Sequence, residues 1–234
     1  MGLNASNFVK KRTSPLRLTQ NRIDKIITCI ITSYEDIINA KVIYDYSKIG
    51  SIKKEDYLRN RLVDDYLENE LNKIEQGTNN FTINKETSEE YTSLVDGQLH
   101  DDPIDIHVVD YALKSAWKKA SKPYLAIECK RLTTSVSSYV NDTKKATERT
   151  YSRVRIPFEG QLGFIENKKW DYKTVSEKVK ELTSNSNIET TQKVKKHTIK
   201  KGFDGTYISK HKKINNTQFS VYHLFLDYSE IVIN

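Results

Sequence analysis

From Asn21 onward, apolar residues recur at Ile23, Ile26, Ile27, Ile30, Tyr34, Ile37, Ile38 and Val42. Steps of three and four residues place them on one helical face, so the spacing predicts a helix over about residues 20–42. The preceding residues 1–19 carry Lys10, Lys11, Arg12 and Arg17 with no acid and read as a basic arm. Residues 45–50 read as a break. A second stripe, Leu58, Leu62, Tyr66 and Leu67, predicts a helix beginning near Ser51, the expected N-cap, and ending by Gly77.

The period then changes from 3.6 to two. Segments 81–84, 104–109, 124–130 and 161–165 alternate or run apolar and read as strands. Residues 86–102 are polar and acidic, with Asp96-Gly97 as a turn signal. Residues 138–153 are polar but rich in helix formers, and 174–182 reads as a helix with Thr174 as N-cap and Glu177 closing a capping box. After a polar linker over 184–192, segments 195–200 and 206–210 flank Gly202-Phe203-Asp204-Gly205 as a hairpin, and 219–228 reads as a buried strand. The order predicts an α/β fold, a mixed sheet flanked by helices.

Composition narrows this. At 234 residues the chain suits one domain, with residues 1–50 as an arm and helix on a core of 51–183, and 184–234 as a basic β extension completing it. Two cysteines, Cys29 and Cys129, exclude a disulfide scaffold and a Cys-built zinc module. The apolar run 26–31 is too short to span a bilayer, and no secretory h-region follows Met1, so a soluble cytoplasmic protein is expected.

The candidate chemistry lies on two strands. Alternation puts Ile104, Ile106 and Val108 on one face of the first and Asp105 and His107 on the other. In the second, Glu128 and Lys130 share a face while Cys129 turns into the core. Charged residues at the ends of apolar strands need a reason for their desolvation. A divalent metal supplies one: Asp105 and Glu128, with the Cys129 carbonyl, make a hard oxygen site suited to Mg²⁺, with Mn²⁺ as a substitute. Lys130 would then position the attacking water or stabilise the transition state.

The residues Pro103-Ile104-Asp105 and Glu128-Cys129-Lys130, with 22 residues between the two acids, resemble the signature of the PD-(D/E)XK nuclease superfamily. The stretch 126–132 looks like the ExK strand of restriction-endonuclease-like proteins tied to phage defence, and 160–164 and 207–211 resemble them further. The likeness covers about residues 50–170, and Ile104 between Pro103 and Asp105 departs from the signature. It implies a restriction-endonuclease-like core and a Mg²⁺-dependent endonuclease acting on DNA in defence or restriction. The alternatives are an RNA or tRNA nuclease on the same core, or a nucleic-acid-binding subunit that does not cut. It also implies a carboxylate from the first core helix: Glu55 lies on the buried stripe, with Asp56, Asp65 and Glu68 as alternatives. Gln161 is a candidate to touch the metal-bound water or a phosphate, or is a plain polar residue starting its strand.

Charge then maps a substrate. The formal net charge is +7. Residues 193–213 hold eight lysines and one acid, whereas 53–110 hold 15 acids and 6 bases. Lys144, Lys145, Arg149, Arg153, Lys195, Lys196, Lys200 and Lys201 are the candidate phosphate contacts, with Tyr139, Tyr151 and Tyr207 interleaved. The expected partner is double-stranded DNA, with a second copy of the chain or a partner subunit where both strands are cut.

Overall fold

The isoleucine stripe forms helix α1 (Pro15–Asn39) in a computed structural model describing residues 15–74, 80–113, 123–151 and 155–233. Ile23, Ile26, Ile27, Ile30 and Ile37 are buried as the spacing predicts, but Ile31 joins them while Ile38 is exposed. The arm residues 1–14 lie outside the described residues, and the helix starts about five residues before the expected Gln20.

The leucine stripe forms α2 (Lys54–Leu62), a π-helical turn (Val63–Leu67) and α3 (Glu68–Lys73). Ser51 does not cap it; Lys53 precedes the first turn and supplies no side-chain cap. The wider π turn inserts one extra residue, and Leu67 and Leu71 continue the buried face begun by Leu58 and Leu62, with Tyr66 packed partly buried against the same core.

Strands β2 (Phe81–Ser93) and β3 (Leu99–Asp110) form a hairpin turning at Gly97, whose φ of +73° suits glycine. Both run far beyond the segments expected from apolar alternation. The polar stretch 86–102 is therefore mostly strand. β4 (Tyr124–Leu132) pairs antiparallel with β3 and parallel with β6 (Arg155–Ile165). Their crossover contains α4 (Ser137–Thr147) and β5 (Arg149–Tyr151), so the single helix expected over 138–153 ends early and gives way to a strand.

Helix α5 (Tyr172–Asn185) is capped by the Asp171 carboxylate, which accepts from the Thr174 backbone N–H. The expected Thr174 cap is thus displaced by three residues. β7 (Thr190–Lys196), β8 (Thr206–Lys212) and β9 (Gln218–Asp227) complete an eight-stranded mixed sheet in the order β5-β2-β3-β4-β6-β9-β8-β7. A separate two-residue parallel ladder joins β1 (Tyr44–Asp45) to β10 (Val232–Ile233).

Each sheet face buries its own core. Helices α1 to α3 pack Ile30, Leu58, Leu62 and Leu67 against Ile106, Ile127, Cys129 and Phe164. On the other face, α4 and α5 pack Tyr139, Val140, Val175 and Val179 against Leu132, Ile165 and Phe225. Among the described residues, no helix is long and apolar enough to cross a membrane.

Candidate active-site cleft

β4 has two neighbours along its first half and one along its second. Its pairing with β3 ends at Ile106↔Ile127, whereas its pairing with β6 continues to Leu132↔Ile165. The earlier half of β3 stays with β2 and leaves β4. At the fork the β2–β3 register is unchanged, but the pair between Lys85↔Ile106 and Thr87↔Ile104 drops out of the ladder, with Glu86 at φ +49°. Alternation breaks there. Ile106 and Val108 enter the core under α1 to α3, but Ile104 packs with Val109, Tyr124 and Ala126 in a separate cluster. The expected single face of Ile104, Ile106 and Val108 is corrected accordingly, and Asp105 stands at the switch.

Leaving β4 strips the ladder from the β3-side edge of its second half, and buried backbone groups need other partners. Two carboxylates supply them. The Cys129 N–H donates to Asp105 Oδ2 at 2.7 Å, and the Arg131 N–H donates to Glu55 Oε2 at 3.0 Å. Residues 129 and 131 face the same edge because strand backbone groups alternate. The Cys129 carbonyl on that edge accepts from Lys130 Nζ at 2.8 Å.

Lys130 draws the acids together. Its ammonium donates to Glu55 Oε1 at 3.1 Å and pairs with Asp142 Oδ2 at 3.4 Å and Asp105 Oδ2 at 3.8 Å. Burial works against its charge, but Asp142, Glu55 and Asp105 outweigh burial and hold the amine protonated above the ordinary lysine range. Of the helix carboxylates, Glu55 is the one that reaches the site. Asp56 lies 3.3 Å from Arg59, Asp65 pairs with Arg61 and Glu68 is exposed.

Asp105, Glu128, Lys130 and Gln161 line one cleft of about 170 Å³ with Asp142 and Lys145. Asp105 and Glu128 therefore open on the same space. Gln161 lies within β6 opposite Glu128, not at the start of a strand. Its Oε1 accepts from Thr143 Oγ1 at 3.0 Å and its amide faces the Tyr139 carbonyl, so it ties β6 to α4 in the cleft wall.

Sequence reasoning missed two residues. Arg59, buried on α2, donates to Asp105 Oδ1 at 2.9 Å and to Glu86 Oε1 at 2.9 Å. Its signal is a cation beside Leu58 and four residues after Glu55. Asp142 is the acid in an otherwise basic helix, three residues after Tyr139. Its Oδ2 is buried and accepts no hydrogen bond from a described residue.

The basic candidates divide. Lys145 and Arg149 line the cleft, Lys145 paired with Asp142 at 3.4 Å and Arg149 with Asp102 at 2.6 Å. Lys144 lies 3.8 Å from Glu148, which follows the end of the same helix. Lys195 and Lys196 are exposed on β7, the last strand in the sheet order, with Lys196 paired to Asp204 at 2.7 Å, and Lys201 is exposed in the turn that follows. Lys200 is committed to Glu35 and Thr32 of α1. Arg153 lies outside the described residues. Tyr151 borders the cleft, but Tyr139 and Tyr207 are buried and do not face solvent as expected.

Behind the cleft runs a buried polar chain. Thr190 Oγ1 meets His211 Nδ1 at 3.0 Å, His211 Nε2 meets Ser209 Oγ at 2.7 Å, and Ser209 Oγ meets His223 Nε2 at 2.8 Å. His223 Nδ1 then meets the Tyr139 hydroxyl at 3.1 Å, which donates to the Gln161 carbonyl. Burial lowers His211 to about 4 and, together with the charge of His211, His223 to about 3.

The donors on the β4 edge are hard oxygens, the chemistry a divalent cation such as Mg²⁺ prefers. As they stand they surround an ammonium, and among the described residues no three His, Cys, Asp or Glu side chains form a metal-holding group. A scan against protein-family models matches no family, and searches of curated proteins and of solved structures return no match.

Proposed function

We propose that the chain is a metal-dependent nuclease of the PD-(D/E)XK kind, hydrolysing phosphodiester bonds in double-stranded DNA, in a cytoplasmic defence or restriction role. The carrying observation is that Asp105, Glu128 and Lys130, from two neighbouring strands, line one cleft with cations at its rim. The succession α2, β2, β3, β4, α4, β6, with β6 parallel to β4, agrees with a restriction-endonuclease-like core.

Asp105, Glu128 and the Cys129 carbonyl would hold Mg²⁺, which when bound lowers the pKa of its water and neutralises phosphate charge. Lys130, held among these carboxylates, would position the attacking water or stabilise the transition state. Lys145 and Arg149 offset the charge of the approaching backbone. Gln161 keeps α4 against β6 and so fixes the cleft wall.

A second reading, a nucleic-acid-binding subunit that does not cut, is favoured by one observation. Asp105 is engaged by Arg59 and the Cys129 N–H, and the Cys129 carbonyl by Lys130. Incubation of the chain with plasmid, single-stranded DNA and tRNA in Mg²⁺ or Mn²⁺ separates the readings. The expected result is metal-dependent cleavage of the plasmid, abolished by Glu128→Ala and by Lys130→Ala in variants that retain native circular dichroism. Cleavage that persists in EDTA or in both variants overturns the mechanism. Binding without cleavage selects the second reading, and preferred cleavage of tRNA reassigns the substrate.

A further inference from the structure

We propose that the Lys130 ammonium is the resident cation of an oxygen cage on the β4 edge, and that a divalent cation enters by displacing it into the cleft. The inference rests on the metal-dependent reading above and adds to it an order of events.

The cage comprises four oxygens from four parts of the chain. The ammonium lies 2.8 Å from the Cys129 carbonyl, 3.1 Å from Glu55, 3.4 Å from Asp142 and 3.8 Å from Asp105. These are distances an ammonium makes, whereas Mg²⁺ takes its oxygens at about 2.0–2.1 Å. A divalent ion held by Asp105, Glu128 and the Cys129 carbonyl would draw on two of these four oxygens, and two cations cannot share them.

Asp142 supplies an independent sign that the cage is built for charge. It is 8% exposed, and its Oδ2 accepts no hydrogen bond from a described residue. Its contact with Lys130 is an ion pair without hydrogen-bond geometry. A buried carboxylate oxygen so placed calls for a cation rather than a donor of fixed direction.

The exchange has a consequence for Lys130. Once a metal takes the cage, the ammonium, on its four-carbon stem, moves off the strand edge and further into the cleft that Lys130 already lines. Asp142 Oδ1 keeps Lys145 at 3.4 Å, so that carboxylate is not left without a cation during the exchange. The lysine is thus delivered toward a substrate phosphate only when metal is present.

The test is Mn²⁺ binding to the full chain without nucleic acid, by calorimetry and by electron paramagnetic resonance of the free ion. Removing the competing ammonium in Lys130→Met is expected to tighten Mn²⁺ binding by ~10-fold. Adding Asp142→Asn to Lys130→Met is expected to remove most of that gain. Equal or weaker binding by Lys130→Met, with the unaltered chain still binding, overturns displacement and leaves the metal reading standing. If neither the unaltered chain nor Lys130→Met binds Mn²⁺, both fall. A second measurement needs no variant: acylation of Lys130 in the unaltered chain, read by mass spectrometry, is expected to rise several-fold on Mn²⁺ addition. Unchanged labelling under conditions of measured Mn²⁺ binding also overturns displacement.

Discussion

Arg59 carries a full charge at a position as dry as Leu58 beside it. It is held there by Asp105 and Glu86, one on each strand of the β2–β3 hairpin, exactly where alternation breaks. Arg59→Met removes the cation and leaves Asp105 facing an apolar chain. It is expected to cost about 3 kcal/mol of stability, because breaking a buried pair from one side leaves Asp105 Oδ1 without its cation, with the Cys129 N–H and the more distant Lys130 on Oδ2 alone. Urea denaturation checks this, and a loss under about 1 kcal/mol would show that Arg59 is not what seats Asp105. Asp105, Glu128 and Lys130 were legible in the sequence because strand alternation is local. Glu55 was legible because it shares the stripe of Leu58 and Leu62. Arg59 and Asp142 were not, since their roles arise where β3 parts from β4 and where α4 comes to rest, and neither event has a local signature.

Among the elements, the helices show how period and propensity can mislead by a few residues. The apolar stripe named both Tyr66 and Leu67, but nothing in it announces the extra residue of the π turn at Val63–Leu67, which seats Leu67 fully in the core and leaves Tyr66 partly buried. The outer halves of β2 and β3 were invisible for another reason: both of their faces are mostly polar, so alternation has nothing to mark. The histidine chain, which ties β8 and β9 to α4, carries a pH consequence. Both histidines are held below their unfolded value near 6.5, so between that value and about 4 for His211, or about 3 for His223, the unfolded chain binds the extra proton. Their stabilising effect is complete above pH 6.5 and is lost as pH falls, at up to about 1.4 kcal/mol per pH unit for each histidine. Denaturation at pH 7 and pH 5 is expected to show that loss in the unaltered chain and a smaller one in His211→Gln. Equal losses would mean that His211 titrates alike in both states.

Across the whole molecule, the sheet sorts the charge that the sequence divides. The acidic stretch contributes β2 and β3, while the lysine-rich stretch forms β8 and the end of β7, the final strand in the sheet order. Four strand spacings of about 4.8 Å put β7 roughly 19 Å from β4. Charge counting had anticipated two regions; the sheet order adds that the β7 lysines stand apart from the carboxylates, while Lys213 of the same stretch reaches the cleft rim, donating to the Arg149 carbonyl at 2.8 Å. If those lysines hold duplex DNA, Lys195→Ala with Lys201→Ala lowers the slope of log affinity against log salt by about 1.8, since both are exposed whereas Lys196 is paired with Asp204. Lys200→Ala leaves it unchanged, because Lys200 is committed to Glu35 and Thr32. A slope insensitive to the double substitution would place the DNA elsewhere.

The fork between β3 and β4 has one more consequence. A strand edge deserted by its neighbour is an invitation to a strand from another chain, and proteins commonly block such edges with charge. Here the block consists of Asp105, Glu55 and Lys130, seated on the N–H and C=O groups that an incoming strand would use. The groups proposed for chemistry also occupy that edge, so a chain stripped of both carboxylates is expected to trade a disabled site for an open, adhesive edge.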